Sequence, residues 1–157
     1  LATTCTEIFD LFLSSISDYR LDAIFTASGS YTFGLYLEPW LLNSIVEFDI
    51  CNQSLAYTVS GSATEGSFSV ILSLENQLIL ALLMSKYWLA KSVQDILQMN
   101  NSLQDRDFKT FSQAQNLQTK QALYNSKREE VSQKLAEYGY KNNVWADWRN
   151  QEFNHGV

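Results

Sequence analysis

The chain has 157 residues, 46% of them hydrophobic and 13% aromatic, with one proline, six glycines and a formal charge of −6. That length supports one domain with its own core, and the scarcity of proline and glycine excludes a disordered or collagen-like chain. The longest dense apolar run, Leu78 to Met84, falls well short of the ~18 residues of a membrane-spanning helix, so no membrane partner is expected.

The charge is unevenly placed. Residues 1–85 hold nine acids and one base, Arg20, whereas residues 86–157 hold ten bases and eight acids. Gripping nucleic acid requires concentrated Lys and Arg, which the first half lacks. Cys5 and Cys51 stand far apart, and no basic cluster precedes an apolar stretch near the N-terminus. Both features read as an intracellular chain with two free thiols.

In chain order, Thr4-Cys5-Thr6-Glu7 fits a capping box, and Ile8, Phe9, Phe12, Leu13 and Ile16 recur at helical spacing. These predict an amphipathic helix over about Thr6 to Ser17, interrupted at Asp18-Tyr19-Arg20-Leu21. Residues 22–30 are ambiguous and end in the turn-like Ser28-Gly29-Ser30. A second helix is expected from about Thr32 to Val46. Pro39 sits inside it, so the helix either starts near Glu38 or bends there.

Residues 47–72 read as a β-hairpin or extended arm. Phe68, Val70 and Leu72 alternate with Ser69, Ile71 and Ser73, and the tip runs from Ser60 to Ser67. Such a Ser/Gly-rich tip is expected to carry little packing, so residues 61–66 should be dispensable. An isolated hairpin is marginal in water, so this one needs the helices or a neighbouring subunit to lean on.

Ser73 is a good N-cap for a third helix from Leu74, striped by Leu78, Leu82, Leu83, Leu89, Val93, Ile96 and Leu97 and stopped by Asn100-Asn101-Ser102. A fourth helix is expected from Phe108 to Tyr138. Leu117, Tyr124, Val131 and Tyr138 stand at heptad spacing, and Gly139 is the expected terminator; a break near Asn116 is the alternative. Thirty-one residues at 1.5 Å each give roughly 46 Å, against a radius of gyration of about 15 Å for a compact domain of this size. A shape elongated for assembly follows. The fold class is therefore mainly α. A bundle of about four helices, two of them long and C-terminal, has a hairpin between helices two and three. One domain, 1–140, is followed by an aromatic docking arm, 141–157.

That arm carries Trp145, Trp148 and Phe153. Aromatics on a terminal segment serve either interface docking or the chain's own core. With Tyr124, Tyr138 and Phe68 they form the candidate partner interface.

Catalytic chemistry finds little support. The only histidine is His155, near the end, and a hydrolytic nucleophile needs a base within hydrogen-bond reach. One His and two distant Cys do not make a zinc site, and neither GxxxxGK[ST] nor GxGxxG occurs. Asp105 and Asp107 serve most simply as caps of the following helix, and Lys127-Arg128 with Glu129-Glu130 is ordinary helix-surface pairing. No catalytic residue, metal or cofactor is expected.

Ser73-Leu74-Glu75-Asn76, Lys86-Tyr87-Trp88-Leu89, Asp95-Ile96-Leu97-Gln98-Met99, Asp105-Arg106-Asp107-Phe108-Lys109 and Ser112-Gln113-Ala114-Gln115-Asn116-Leu117 follow one another up to Ala136-Glu137-Tyr138. In this pattern, and in the order of elements before it, the chain resembles the head–tail connector (adaptor or head-completion) proteins of tailed bacteriophages. The resemblance implies a virion structural protein of the neck, assembled in the host cytoplasm. It implies a homo-oligomeric ring, often of twelve subunits, that binds the portal on one side and a tail or tail-completion protein on the other. DNA would pass through the lumen without specific binding, which an acidic half suits. The family has no catalytic residues to carry over. A helical protein-binding adaptor or regulatory module and a tail completion or terminator protein are the alternatives. An enzyme subunit borrowing groups from a neighbour, with Asp18 and Asp22 in a polar pocket, is a more remote one.

Overall fold

The computed structural model describes residues 2–16, 19–61, 64–102 and 110–142. Four helices, α1 (Cys5–Ser15), α2 (Tyr19–Glu47), α3 (Leu74–Ser102) and α4 (Thr110–Lys141), enclose a short hairpin of β1 (Tyr57–Thr58) and β2 (Ser67–Phe68). The expected helical fold with an inserted hairpin is present. α3 is the central element and packs against α1, α2 and α4. Its first half is apolar around most of its circumference, and Ile79, Leu80, Ala81, Leu83, Met84 and Trp88 are all buried. α1 contributes Ile8, Phe9 and Phe12 to the same core, and α2 contributes Phe33, Leu37 and Leu41.

The N-terminus of α1 is not held by a capping box. Thr4 makes no side-chain cap bond; it lies in an antiparallel bridge with Ser67. The free N–H groups of the first turn find partners on the hairpin instead. Thr6 donates to Glu65 Oε1 at 3.0 Å and Cys5 to the Gly66 carbonyl at 2.9 Å. A carboxylate there also complements the positive end of the helix dipole.

Residues 22–30 are helical, and α2 breaks at Gly29, whose φ of 75° and ψ of 165° lie where side-chain-bearing residues are strained. Pro39 does not start the helix. α2 continues through it with Pro39 on the exposed side, and Gly29 is the one position in α2 with non-helical dihedrals.

The hairpin is small, with Tyr57 opposite Phe68 and Thr58 opposite Ser67. Its support comes from the N-terminal segment acting as a third strand. Phe68 donates to the Thr3 carbonyl at 2.8 Å, Thr3 to the Val70 carbonyl at 3.2 Å, and Leu72 to Thr3 Oγ1 at 2.9 Å. Phe68 and Leu72 point inward while Ser69 and Ile71 are exposed, as the alternation predicts.

Ser73 caps α3, accepting from the Asn76 N–H at 3.3 Å. α4 is continuous over 32 residues, with no break at Asn116, and at 1.5 Å per residue it is about 48 Å long. Gly139 does not terminate it; it is buried inside the helix. The chain turns off one residue past Lys141, where the backbone N–H and the Nδ2 of Asn142 both donate to the Tyr138 carbonyl at 3.0 Å.

Candidate functional site

Three features of the described surface bear on function: the outer face of α4, a groove beside it, and a polar latch at the root of the hairpin. α4 lies chiefly against α3. From residue 115 to 130 none of its side chains is buried, and only Leu117, Lys120, Tyr124 and Lys127 are half-buried, spaced as one stripe. Burial begins at Val131 and is renewed at Tyr138. The opposite face, with Gln118, Thr119, Ala122, Ser126 and Glu129, is open, and on its flank Leu123 is 49% exposed.

Of the residues expected at a partner interface, Phe68 and Tyr138 are corrected to interior positions. Phe68 packs against Tyr57 with ring centroids 5.0 Å apart, and Tyr138 packs edge-on to Phe48 at 5.0 Å. Period-based reading finds the buried stripe but cannot say whether its cover comes from the same chain. Tyr138 also fastens α4 to the segment after α2. Its hydroxyl donates to Asn52 Oδ1 at 2.5 Å and accepts from the Asn52 N–H at 3.0 Å. Burial holds this phenol above its ordinary pKa. Tyr124 keeps a half-buried place on the α4 stripe. Trp145, Trp148 and Phe153 lie outside the described residues, as do Asp18, Asp105, Asp107 and His155.

The groove lies between α1, α3 and α4. It has a volume of about 350 Å³, apolar walls from Leu11, Leu78 and Leu82, and a rim of Glu130 and Lys134. Leu78 is 49% exposed, a large share for a leucine inside a groove.

The latch centres on Glu38, a carboxylate only 5% exposed. Its Oε1 accepts from the Tyr57 hydroxyl at 2.7 Å and the Ser60 N–H at 2.8 Å, and Ser60 Oγ accepts from the Gly66 N–H at 2.9 Å. Burial, and then the bond to Glu38, push the Tyr57 phenol far above its usual range. The two sides of the hairpin tip are therefore tied down, at Ser60 and at Glu65 and Gly66. Sequence reading missed Glu38 because buried acids have no periodic signature, and Glu65, which is exposed, because its partner Thr6 stands 59 positions away. The available hint was Glu38 one position from Leu37 and three from Leu41, on the edge of the apolar stripe. A further tie joins α2 to α3, where the Glu47 carboxylate accepts from Lys86 and, at 2.7 Å, from Tyr87. Burial and this bond push the Tyr87 phenol up to about 12.

Cys5 and Cys51 are both free. Burial, offset only in part by neighbouring hydroxyls, raises the pKa of the Cys5 thiol and keeps it away from the reactive thiolate form. Among the described residues no three His, Cys, Asp or Glu side chains group to hold a metal ion, and no helix is long and apolar enough to cross a membrane. A scan against protein-family models finds no matching family, and searches of curated proteins and of solved structures find no match.

Proposed function

We propose that this chain is a virion structural subunit, a head–tail connector that assembles as a ring between the portal and the tail of a tailed bacteriophage. The observation that carries the reading is α4: a helix of 32 residues that over residues 115–130 has one half-buried stripe and an open opposite face. A helix this polar gains little stability alone, since most helical stability in proteins comes from tertiary packing. Its open face fits lateral contact with a neighbouring subunit. Ile71 and Leu74, 65% and 63% exposed where the hairpin leads into α3, supply a second apolar contact at one end of the molecule. The acidic first half of the chain suits a lumen through which DNA slides without sticking.

Mass photometry with negative-stain imaging, on purified protein with and without a candidate portal, tests the reading. Rings, or a collar bound to the portal, are the expected result. A monomer that leaves the portal bare contradicts it and favours a protein-binding adaptor module.

A further inference from the structure

We propose that the groove between α1, α3 and α4 binds an amphipathic helix of another protein, one whose apolar face is flanked by Lys or Arg. This inference does not depend on the connector reading.

The three walls run side by side. Thr3, just before α1, is bonded to Val70 and Leu72, and Ser15 at the other end of α1 has its Oγ 3.0 Å from Ser85 Oγ. α1 therefore runs parallel to α3. Lys141 pairs with Glu75, and Lys134 lines the groove with Leu82, so α4 runs antiparallel to α3. The floor is a row on α3. Leu78 and Leu82 line the groove, and Leu74 stands one turn before them on the same face. From Leu74 to Leu82 the row covers about 12 Å at 1.5 Å per residue. Leu74 and Leu78 are 63% and 49% exposed. A straight apolar valley of two turns, bounded by two helices, suits a third helix that enters with side chains at i, i+3 or i+4, and i+7.

Charge selects the occupant. Glu7 lies seven residues before Ser14 and four before Leu11, both of which line the groove, so it stands on the same side of α1. Its level falls between the ties at Leu72 and Ser85, beside the floor. Among the described residues Glu7 and Asp10 have no ion pair and no side-chain hydrogen bond, and α1 carries no base. Across the groove, Glu130 and Lys134 are already paired with Lys127 and Glu137. The α4 rim is close to neutral, and the α1 rim keeps an uncompensated negative charge. A Lys or Arg beside the apolar face of the incoming helix answers it.

The same criterion argues against a second copy of this chain. α2 exposes an apolar row, Leu35, Leu42 and Val46, but residues 21–50 hold no Lys or Arg. α4 carries bases, but among its leucines only Leu123 is exposed.

Panning a library of helical peptides, randomised on one face and its flanks, against the whole chain tests the proposal. Affinities of the enriched peptides are then measured by fluorescence anisotropy. The expected peptides carry apolar residues at i, i+3 or i+4, and i+7, with Lys or Arg beside them. Leu78→Asp should weaken their binding by at least about tenfold. Glu7→Lys should weaken it by about two- to fivefold, the worth of an exposed ion pair. Leu42→Asp, on the α2 row, should leave it unchanged. Circular dichroism checks each variant for normal helical content, and Leu78→Ser replaces Leu78→Asp if the latter does not fold. No enrichment, acidic or extended peptides, or equal binding to the Leu78 variant overturns the proposal. Self-association of the chain that the Leu78 variant abolishes overturns it in favour of a second copy.

Discussion

Glu38→Ala removes the acceptor that holds the hairpin to α2. Two donors lose their partner: the Tyr57 hydroxyl, 2.7 Å away, and the Ser60 N–H, 2.8 Å away. A stranded buried donor costs about 1–3 kcal/mol. Tyr57 and Ser60 are half-buried, so water reaches them in part and the low end applies. The release of a desolvated carboxylate and the better helix propensity of Ala offset some of the loss. The net expectation is a destabilisation of about 1–2 kcal/mol, which for a chain of this size lowers the melting temperature by about 2–8 °C. Urea unfolding followed by far-UV circular dichroism measures it. Tyr57→Phe alone should cost about 1 kcal/mol, and the double variant about 1 kcal/mol less than the sum of the two. Additivity of the two substitutions to within about 0.4 kcal/mol would show that the pair is not coupled and refute the latch.

Deleting residues 61–66 removes Glu65 and Gly66, the caps of α1, and should lower the melting temperature by more than Glu38→Ala does; a deletion variant of wild-type stability would show that α1 needs no help from the hairpin. Gly29→Ala meets open space but an unfavourable backbone region, so it should cost about 1–3 kcal/mol in urea unfolding without loss of helical content. At alkaline pH the raised phenols of Tyr57 and Tyr87 stay protonated in the folded chain while those of the unfolded chain ionise from about pH 10. Their contribution to stability is complete below pH 10 and falls above it, because the unfolded state then binds fewer protons; that of Tyr87 is lost as the pH rises through about 12, while that of Tyr57 is still falling there. Unfolding midpoints measured from pH 8 to 12 should fall at the upper end, and a flat profile would contradict the buried placement of both groups.

Period and punctuation made the helices legible. Ser73 caps α3 as its sequence position suggests, and the heptad series Leu117, Tyr124, Val131, Tyr138 lies on the covered side of α4. Terminators and caps were less legible, because their partners come from distant segments. Gly139 looks like a helix end, but Asn142 and the Lys141–Glu75 pair carry the helix past it. Thr4 and Glu7 look like a box, but the Thr4 backbone is drawn into pairing with Ser67, and Glu65 takes over the cap. Pro39 looks like a helix start, yet the weak point is Gly29. The same non-locality hid the latch. Glu38, Tyr57 and Ser60 are separated by 19 and 22 positions along the chain, and local pattern does not join them.

The central claim is that the open face of α4 is closed by another subunit. Amide hydrogen exchange, compared between the free subunit and the assembled particle, tests it most directly. Weakly covered helical turns open locally and exchange early. The account predicts strong new protection across residues 115–130 on assembly. Unchanged exchange there, with protection appearing elsewhere on the molecule, would contradict it.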